Sequence, residues 1–191
     1  MKAKIILITL AMVATLFVGC TTTPPPTTPP ETTPPQTTPP ETTPDVVTTA
    51  SIVDTEAAFE KAISNSGTWI IATLKDLSFS KDLVLDGEFK NGKKDDAGKD
   101  VIQRKIALYT QDDKRNVTAR FNLTAPKLTI NSPEASIQHG TFKGDLYVTS
   151  KKFKLVDTTV EGNIYFASED AKSTFTMDDK SKVTGKQEVR K

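Results

Sequence analysis

Residues 144–148 read Gly144-Asp145-Leu146-Tyr147-Val148, and the pattern returns 18 residues later as Gly162-Asn163-Ile164-Tyr165-Phe166. Both stretches begin with glycine and a short polar residue, and both then place a tyrosine between two apolar residues. Because successive side chains of a β-strand point to opposite faces, each stretch predicts a strand with its apolar residues inside and its tyrosine outside. A strand that returns almost unchanged indicates a structural repeat.

Shorter patterns extend this repeat. An apolar-x-Gly step recurs at spacings of 18 and 23 residues, as Phe142-Lys143-Gly144, Val160-Glu161-Gly162 and Val183-Thr184-Gly185. An apolar-x-apolar step recurs at spacings of 25 and 22 residues, as Leu128-Thr129-Ile130, Phe153-Lys154-Leu155 and Phe175-Thr176-Met177. Periods near 20 residues are typical of solenoids, in which no coil buries its apolar face alone. Residues 45–191 have room for about six such coils.

A helix is predicted over residues 54–66, with Asp54 as its N-cap and Ala58, Phe59, Ala62 and Ile63 on one face. From Trp69 onward the apolar period is two, which predicts a series of short strands. The predicted strands are 69–72, 83–85, 106–108, 128–130, 146–148, 153–155, 164–166 and 175–177.

The helix, the strand Thr68-Trp69-Ile70-Ile71-Ala72 and the repeats after it resemble right-handed parallel β-helices of the pectate-lyase-like kind. The resemblance is carried by residues 52–90 and continues only as a pattern. It implies a mainly β fold, a short parallel β-helix with an N-terminal capping helix. An antiparallel β-sandwich with an added helix is the alternative. Asn91-Gly92 is the main hairpin signal of the sequence, and the scarcity of such signals favours stacked coils over a meander.

In lyases of that superfamily, an acidic calcium cluster lies beside a base that is commonly arginine. The arginines here are Arg104, Arg115, Arg120 and Arg190, and none matches a family motif. The acidic candidates are Asp82, Asp86, Asp95, Asp96 and Asp100. Residues 91–100 lack the spacing and the bidentate Glu of a calcium loop, and their lysines would repel a cation. We interpret them as a solvated insertion between coils, and predict neither a metal site nor a cofactor.

His139 precedes Gly140 and is interpreted as a turn residue. Ser132 and Ser136 are nearby in sequence, but no glycine-flanked nucleophile elbow surrounds either of them. The runs Asp112-Asp113-Lys114 and Asp178-Asp179-Lys180 have the residue types of turns. The sequence therefore predicts no catalytic residue.

Composition excludes several kinds of partner and site. The chain has 191 residues, with 25 basic and 24 acidic side chains and a formal net charge of +1. That balance lacks the basic excess that nucleic-acid binding requires. Cys20 is the only cysteine, which excludes an intrachain disulfide and a cysteine-based structural zinc site.

Residues 1–19 have the pattern of a signal peptide. Lys2 and Lys4 precede an apolar run from Ile5 to Val18, which is too short to span a hydrocarbon core of about 30 Å. The end of the run, Leu16-Phe17-Val18-Gly19-Cys20, resembles the bacterial lipobox, although Phe17 departs from the usual leucine. The resemblance implies cleavage before Cys20, acylation of its thiol and a stable anchor at the outer face of a bacterial membrane.

Residues 21–44 contain only Thr, Pro, Glu and Gln, and hold ten of the chain's 12 prolines. Such a segment favours extended polyproline II, with a reach of roughly 75 Å for a tether of this length. O-glycosylation of its threonines is open. The organisation is therefore a signal peptide (1–19), a lipidated Cys20 with its tether (20–44) and one β domain (45–191).

Tyr147 and Tyr165 are the candidate binding residues. Alignment of the two predicted strands places them about 4.8 Å apart on the outer face, where aromatic rings can stack on sugars. A ladder that only stabilises register is the alternative. We expect a surface lipoprotein whose module binds glycan or another cell-surface polymer without catalysis. We expect it to be monomeric, because charges near the C-terminus discourage end-to-end association. A small polysaccharide lyase or hydrolase on the same fold is the alternative function.

Overall fold

A computed structural model of the chain describes residues 50–190, which contain 18 strands and two helices. The predicted signal peptide, Cys20 and the Pro/Thr tether lie outside this range. No helix within residues 50–190 is long and apolar enough to cross a membrane. The described part of the chain is mainly β, as the sequence predicts.

Two parallel sheets contain most of the strands, which are numbered in chain order. In sheet order, the first sheet consists of β1 (Ser51–Val53), β2 (Ile70–Thr73), β7 (Arg104–Ala107), β11 (Ala135–Gln138), β13 (Lys154–Val156) and β16 (Thr176–Met177). The second contains β3 (Leu77–Ser78), β4 (Leu83–Leu85), β10 (Asn122–Ile130), β12 (Thr141–Val148), β14 (Thr159–Glu161), β15 (Ile164–Phe166), β17 (Lys182–Val183) and β18 (Gln187–Val189).

The remaining elements are two antiparallel hairpins and two helices. One hairpin pairs β5 (Lys90–Lys94) with β6 (Asp100–Ile102), and the other pairs β8 (Tyr109–Gln111) with β9 (Val117–Arg120). The helices are α1 (Glu56–Ile63) and α2 (Glu169–Ser173). The sequence predicts only the first of them, because α2 is one short turn that buries Ala171 alone.

After α1, the chain passes alternately through the first and the second sheet. Five such passes are found in residues 50–190, and every strand pair within the two sheets is parallel. The antiparallel sandwich is therefore not the arrangement found. The expected count of six coils is too high because the two hairpins occupy chain that the repeat assigns to a coil.

The apolar residues of the two tyrosine-containing stretches, 144–148 and 162–166, lie in register inside the second sheet. Of the apolar-x-apolar steps, 128–130 lies in the second sheet, whereas 153–155 and 175–177 lie along the first. Leu146 pairs with Ile164, and Val148 pairs with Phe166. All four side chains are fully buried, as predicted. Burial of each side chain of this size contributes about 1.5–3 kcal/mol. The stacking of like positions therefore supplies much of the free energy that holds adjacent passes together.

The repeated glycines mark a close approach between passes. A Cβ on Gly162 would lie 2.0 Å from the carbonyl oxygen of Gly144, and one on Gly144 would lie 1.8 Å from that of Ala125. Gly144 also has φ +138°, a conformation that side chains disfavour. The glycines of the apolar-x-Gly repeat therefore mark positions at which the backbones of adjacent passes are in close contact.

Helix α1 begins two residues after the predicted cap. Thr55, rather than Asp54, is the N-cap: its backbone angles are extended, and its hydroxyl accepts a hydrogen bond from the Ala58 amide at 3.2 Å. The predicted apolar face is largely correct, since Phe59, Ala62 and Ile63 are buried. The N-cap prediction is wrong because both residue types are good cap formers, so residue type does not distinguish them.

The Asn91-Gly92 hairpin signal is misplaced. Both residues lie within β5, and the turn of that hairpin is at residues 95–98, where the Gly98 amide donates to the Asp95 carbonyl oxygen at 2.9 Å. The side-chain oxygen of Asp95 also accepts from the amides of Ala97 and Lys99. Residues 91–100 are therefore an insertion between passes, as predicted, but one built as a hairpin.

Candidate functional site

Tyr147 and Tyr165 lie side by side on the outer face of the second sheet. They are direct register partners in the β12–β15 pair, and the residues on either side of each tyrosine are fully buried. Val84, Thr129 and Glu188 occupy the same register position on β4, β10 and β18. We call this set the tyrosine row. Adjacent members are about 4.8 Å apart, which gives a flat strip across five strands.

The C-terminal segment fixes the two rings. The Arg190 guanidinium lies 4.6 Å from the centre of the Tyr165 ring, over one of its faces. The Tyr147 hydroxyl donates to the Arg190 carbonyl oxygen at 3.4 Å. At exposed positions a cation over an aromatic ring contributes about 0.5–1 kcal/mol. The pair is therefore oriented before any ligand arrives, and both rings are only partly buried.

A polar row runs beside the tyrosine row. Lys127 pairs with Asp82 at 2.7 Å. Asp145 accepts hydrogen bonds from the backbone and side-chain amides of Asn163, at 2.8 and 2.9 Å. The Asn163 side-chain oxygen in turn accepts from the Lys186 amide at 2.9 Å. This chain of bonds explains the polar second position of the repeat, since each side chain bonds to the neighbouring pass.

A second polar cluster, which the sequence analysis missed, lies where the chain crosses from the first sheet to the second. One oxygen of the Asp157 carboxylate is 2.5 Å from an Arg120 guanidinium nitrogen and 3.0 Å from Nδ1 of His139. The Tyr109 ring contacts the His139 ring edge-on, with centres 4.5 Å apart. Hairpin β8–β9 supplies Tyr109 and Arg120, so this insertion packs against the crossing.

The crossing itself requires an unusual backbone. His139 and Asp157 have φ +58° and +49°, and they occupy equivalent places in successive passes. The Asp157 amide donates to both carboxylate oxygens of Asp178, at 2.9 and 3.0 Å, so the next pass supports the bend. Aspartate tolerates left-handed angles better than most residues. His139 is therefore a turn residue, as predicted, and the sequence analysis did not foresee its hydrogen bond with the Asp157 carboxylate.

Electrostatics keep Asp157 ionised. The hydrogen bond from Arg120 lowers the pKa of its carboxyl group, and the bond from His139 lowers it further. The carboxylate therefore carries its charge throughout the neutral range and holds Arg120 against the crossing. No sequence motif signals this cluster, because Arg120, His139 and Asp157 are separated by 18 or more residues and meet only through the register.

The other arginine candidates have separate surroundings. Arg104 is fully buried and donates to the carbonyl oxygens of Ala62 and Ser64 at the end of α1. Burial lowers the pKa of Arg104 to about 10, so the side chain remains charged at neutral pH. Arg115 lies in the exposed turn of hairpin β8–β9. Among the arginines, Arg120 alone forms a salt bridge within residues 50–190, and no cluster of carboxylates lies beside it there.

The acidic and serine candidates form no shared site. Within residues 50–190, no group of three or more His, Cys, Asp or Glu side chains is arranged to hold a metal ion. Asp100 contacts Lys90 and Lys94, which lower its pKa to about 2. Ser132 and Ser136 are buried, and the Ser136 hydroxyl donates to the Arg104 carbonyl oxygen.

Comparisons with protein-family models, with curated protein sequences and with solved structures returned no match for this chain. Its candidate function is therefore argued from its own residues.

Proposed function

We propose that this chain is a surface lipoprotein of a bacterial membrane, anchored through acylated Cys20, whose domain binds glycan or another cell-surface polymer without catalysis. The domain is a short right-handed β-solenoid in which α1 caps the first coil. The tether of residues 20–44 holds this monomeric module away from the membrane. The observation that carries the proposal is the tyrosine row, a flat strip with two register-matched aromatic rings on a regular sheet.

The chemistry of the row suits a sugar polymer. An aromatic ring offers a flat apolar face for the C–H groups of a sugar, and a tyrosine adds a polar tip. Val84 is 44% exposed at the far side of the row, beyond Thr129, so the row has a second apolar position besides the rings. The neighbouring row of Lys127, Asp145 and Asn163 offers hydrogen-bonding groups to hydroxyls along one side.

Retention on insoluble polymers tests this proposal. Full-length protein in detergent is mixed with cellulose, chitin or purified bacterial cell wall, and the bound fraction is measured. We expect retention on at least one polymer and its loss in the Tyr147→Ala/Tyr165→Ala double variant. Tyr109→Ala is the matched control, since Tyr109 is the one other tyrosine in the sequence and lies outside the row. The Tyr109→Ala protein should still be retained on the polymer.

The thermal midpoint of each variant separates a lost contact from a lost fold. Equal retention by the double variant and the wild type would show that the row is only a register ladder. Release of unsaturated or reducing ends from soluble polysaccharides with calcium present would instead assign the alternative enzymatic function. The anchor is tested separately, because Cys20→Ser should move the protein from the membrane fraction to the soluble fraction.

A further inference from the structure

An open groove of about 160 Å³ lies beside the crossing, at the opposite end of β12 from the tyrosine row. Its lining includes Arg120, Asn122, Thr141, Asp157, Thr159 and Lys180. These residues come from hairpin β8–β9 and from four successive passes. The groove is smaller than the ~300–1,000 Å³ pockets that hold drug-sized ligands, so it suits a single substituent or ring.

The lining has a positive charge without a partner. Arg120 and Asp157 pair with each other, so their charges cancel. Lys180 forms no salt bridge with any residue in 50–190, and neither does Lys182, the register partner of Thr159. Asp178, on the same turn, stays ionised because hydrogen bonds from the Ser181 hydroxyl and the Asp157 amide lower its pKa, and these bonds hold its carboxylate against the crossing. Neither Asp178 nor Asp179 lines the groove, so Lys180 is the lining cation that an anion can contact.

Two threonines line the same groove. Thr141 and Thr159 are direct register partners, so their side chains are about 4.8 Å apart. Neither hydroxyl bonds to a described residue, although both backbone amides are bonded. The Asn122 side-chain amide and backbone amide both bond to Asp76, which leaves the Asn122 side-chain oxygen as an acceptor. The groove thus offers free donors next to an unpaired cation.

We infer that this groove binds an oxyanion, a carboxylate or a phosphate carried by a sugar of the bound polymer. The inference rests on the proposed function and adds the class of ligand, an acidic rather than a neutral glycan. Lys180 supplies the charge, and the hydroxyls of Thr141 and Thr159 donate to the anion or to adjacent sugar oxygens. Thr141 and Tyr147 are six residues apart on β12, or about 20 Å, so one polymer chain can reach both.

Small probes test the groove without the tyrosine row. Amide spectra of the ¹⁵N-labelled full-length protein in detergent are recorded during titration with galacturonate, inorganic phosphate or uncharged galactose. Galacturonate or phosphate should shift the amides of Gly140, Thr141 and Thr159 saturably, and galactose should not. A response to galacturonate alone identifies a carboxylate ligand, and a response to phosphate alone identifies a phosphorylated one.

Variants identify the groups responsible. Lys180→Gln and the Thr141→Val/Thr159→Val double variant should each weaken binding of the active anion about five- to tenfold, the loss expected for one charge-assisted or two neutral hydrogen bonds. Lys93→Gln removes an exposed lysine from the distant hairpin β5–β6 and should leave the affinity unchanged. Saturable shifts in the Tyr147→Ala/Tyr165→Ala variant would support the groove independently of the row.

The absence of saturable shifts with both anions would overturn the inference, as would an unchanged affinity in Lys180→Gln. Neither result bears on the tyrosine row, whose failure is read from polymer retention. If the wild-type protein is retained on none of the polymers but still binds the anion, the result would support the groove and count against the proposed function.

Discussion

The passes that contain β11 to β15 and the segment between β4 and β10 are built by different rules. In the passes, residues 135–166 are paired strand by strand, and like residues stack on like. In residues 86–121, only β7 joins a large sheet, and two hairpins leave the stack. The regular region makes the fold, whereas the irregular one brings Tyr109 and Arg120 to the crossing.

The difference shows where each kind of side chain is constrained. A residue inside a pass touches equivalent residues above and below, so a change there disturbs three passes. A residue in a hairpin contacts its partner strand and solvent, so a change there is local. Substitutions in the two regions should therefore differ in how much they lower the stability of the protein. Four sets of variants test this expectation.

The largest difference is expected between two phenylalanines. Phe142 is fully buried on β12 between Leu123 and Val160, so Phe142→Ala should lower the free energy of unfolding by about 4 kcal/mol. Phe89 is only partly buried and lies against Arg104, so Phe89→Ala should lower it by about 1–2 kcal/mol. Denaturant unfolding measures both, and equal losses would mean that the hairpin segment belongs to the core.

Two glycines provide the second comparison. In Gly162→Ala the new Cβ would lie 2.0 Å from a carbonyl oxygen, so the backbone must shift, and we expect a loss of about 3 kcal/mol. Gly98 has φ +74° but open space around it, so Gly98→Ala should lose only the ~1 kcal/mol of a strained turn. Thermal midpoints rank the two variants. A wild-type midpoint for Gly162→Ala would contradict the tight contact between passes.

Arg104→Met tests the buried cation at the start of β7. The change removes the hydrogen bonds to Ala62 and Ser64, at 2.7 and 2.9 Å, and we expect a loss of about 2 kcal/mol. Arg104→Lys keeps the charge and one or more donors, so it should lose less. If Arg104→Met unfolds at a higher denaturant concentration than the wild type, burial of the charge costs more than its bonds contribute.

Asp157→Asn should have the smallest effect, and one that depends on pH. Because the pKa of Asp157 is lowered in the folded protein, its contribution is present above the ordinary pKa of 3.8 and is lost as the pH falls through the lowered value. The variant should therefore be less stable than the wild type at pH 6, by about 1 kcal/mol or less, and the two should converge toward pH 2.

Thermal midpoints between pH 2 and 7 measure this convergence. Asp113→Asn is the control, since Asp113 is an exposed turn residue whose side chain bonds to no described residue, and its curve should parallel that of the wild type. A constant gap between Asp157→Asn and the wild type across the whole range would show that the ion pair contributes nothing to acid stability.

The sequence predicted the structure correctly where residue type and the alternation of apolar residues alone determine it. The strands at residues 83–85 and 164–166 were predicted to the residue, and the burial pattern around Tyr147 and Tyr165 was correct. The prediction failed at the N-cap of α1, at the turn of hairpin β5–β6 and at α2. At each of these places, the same sequence allows several local conformations of similar propensity, and packing against the sheets selects one.

The repeat in residues 128–185 was enough to predict parallel β structure and an outward pair of tyrosines, because alternation and glycine spacing are properties of the backbone itself. The cluster of Arg120, His139 and Asp157 is different. Its members belong to different passes and a hairpin, and none has a local signal of its function. They meet because register places successive crossings next to one another, and that contact exists only once the parallel sheets have formed.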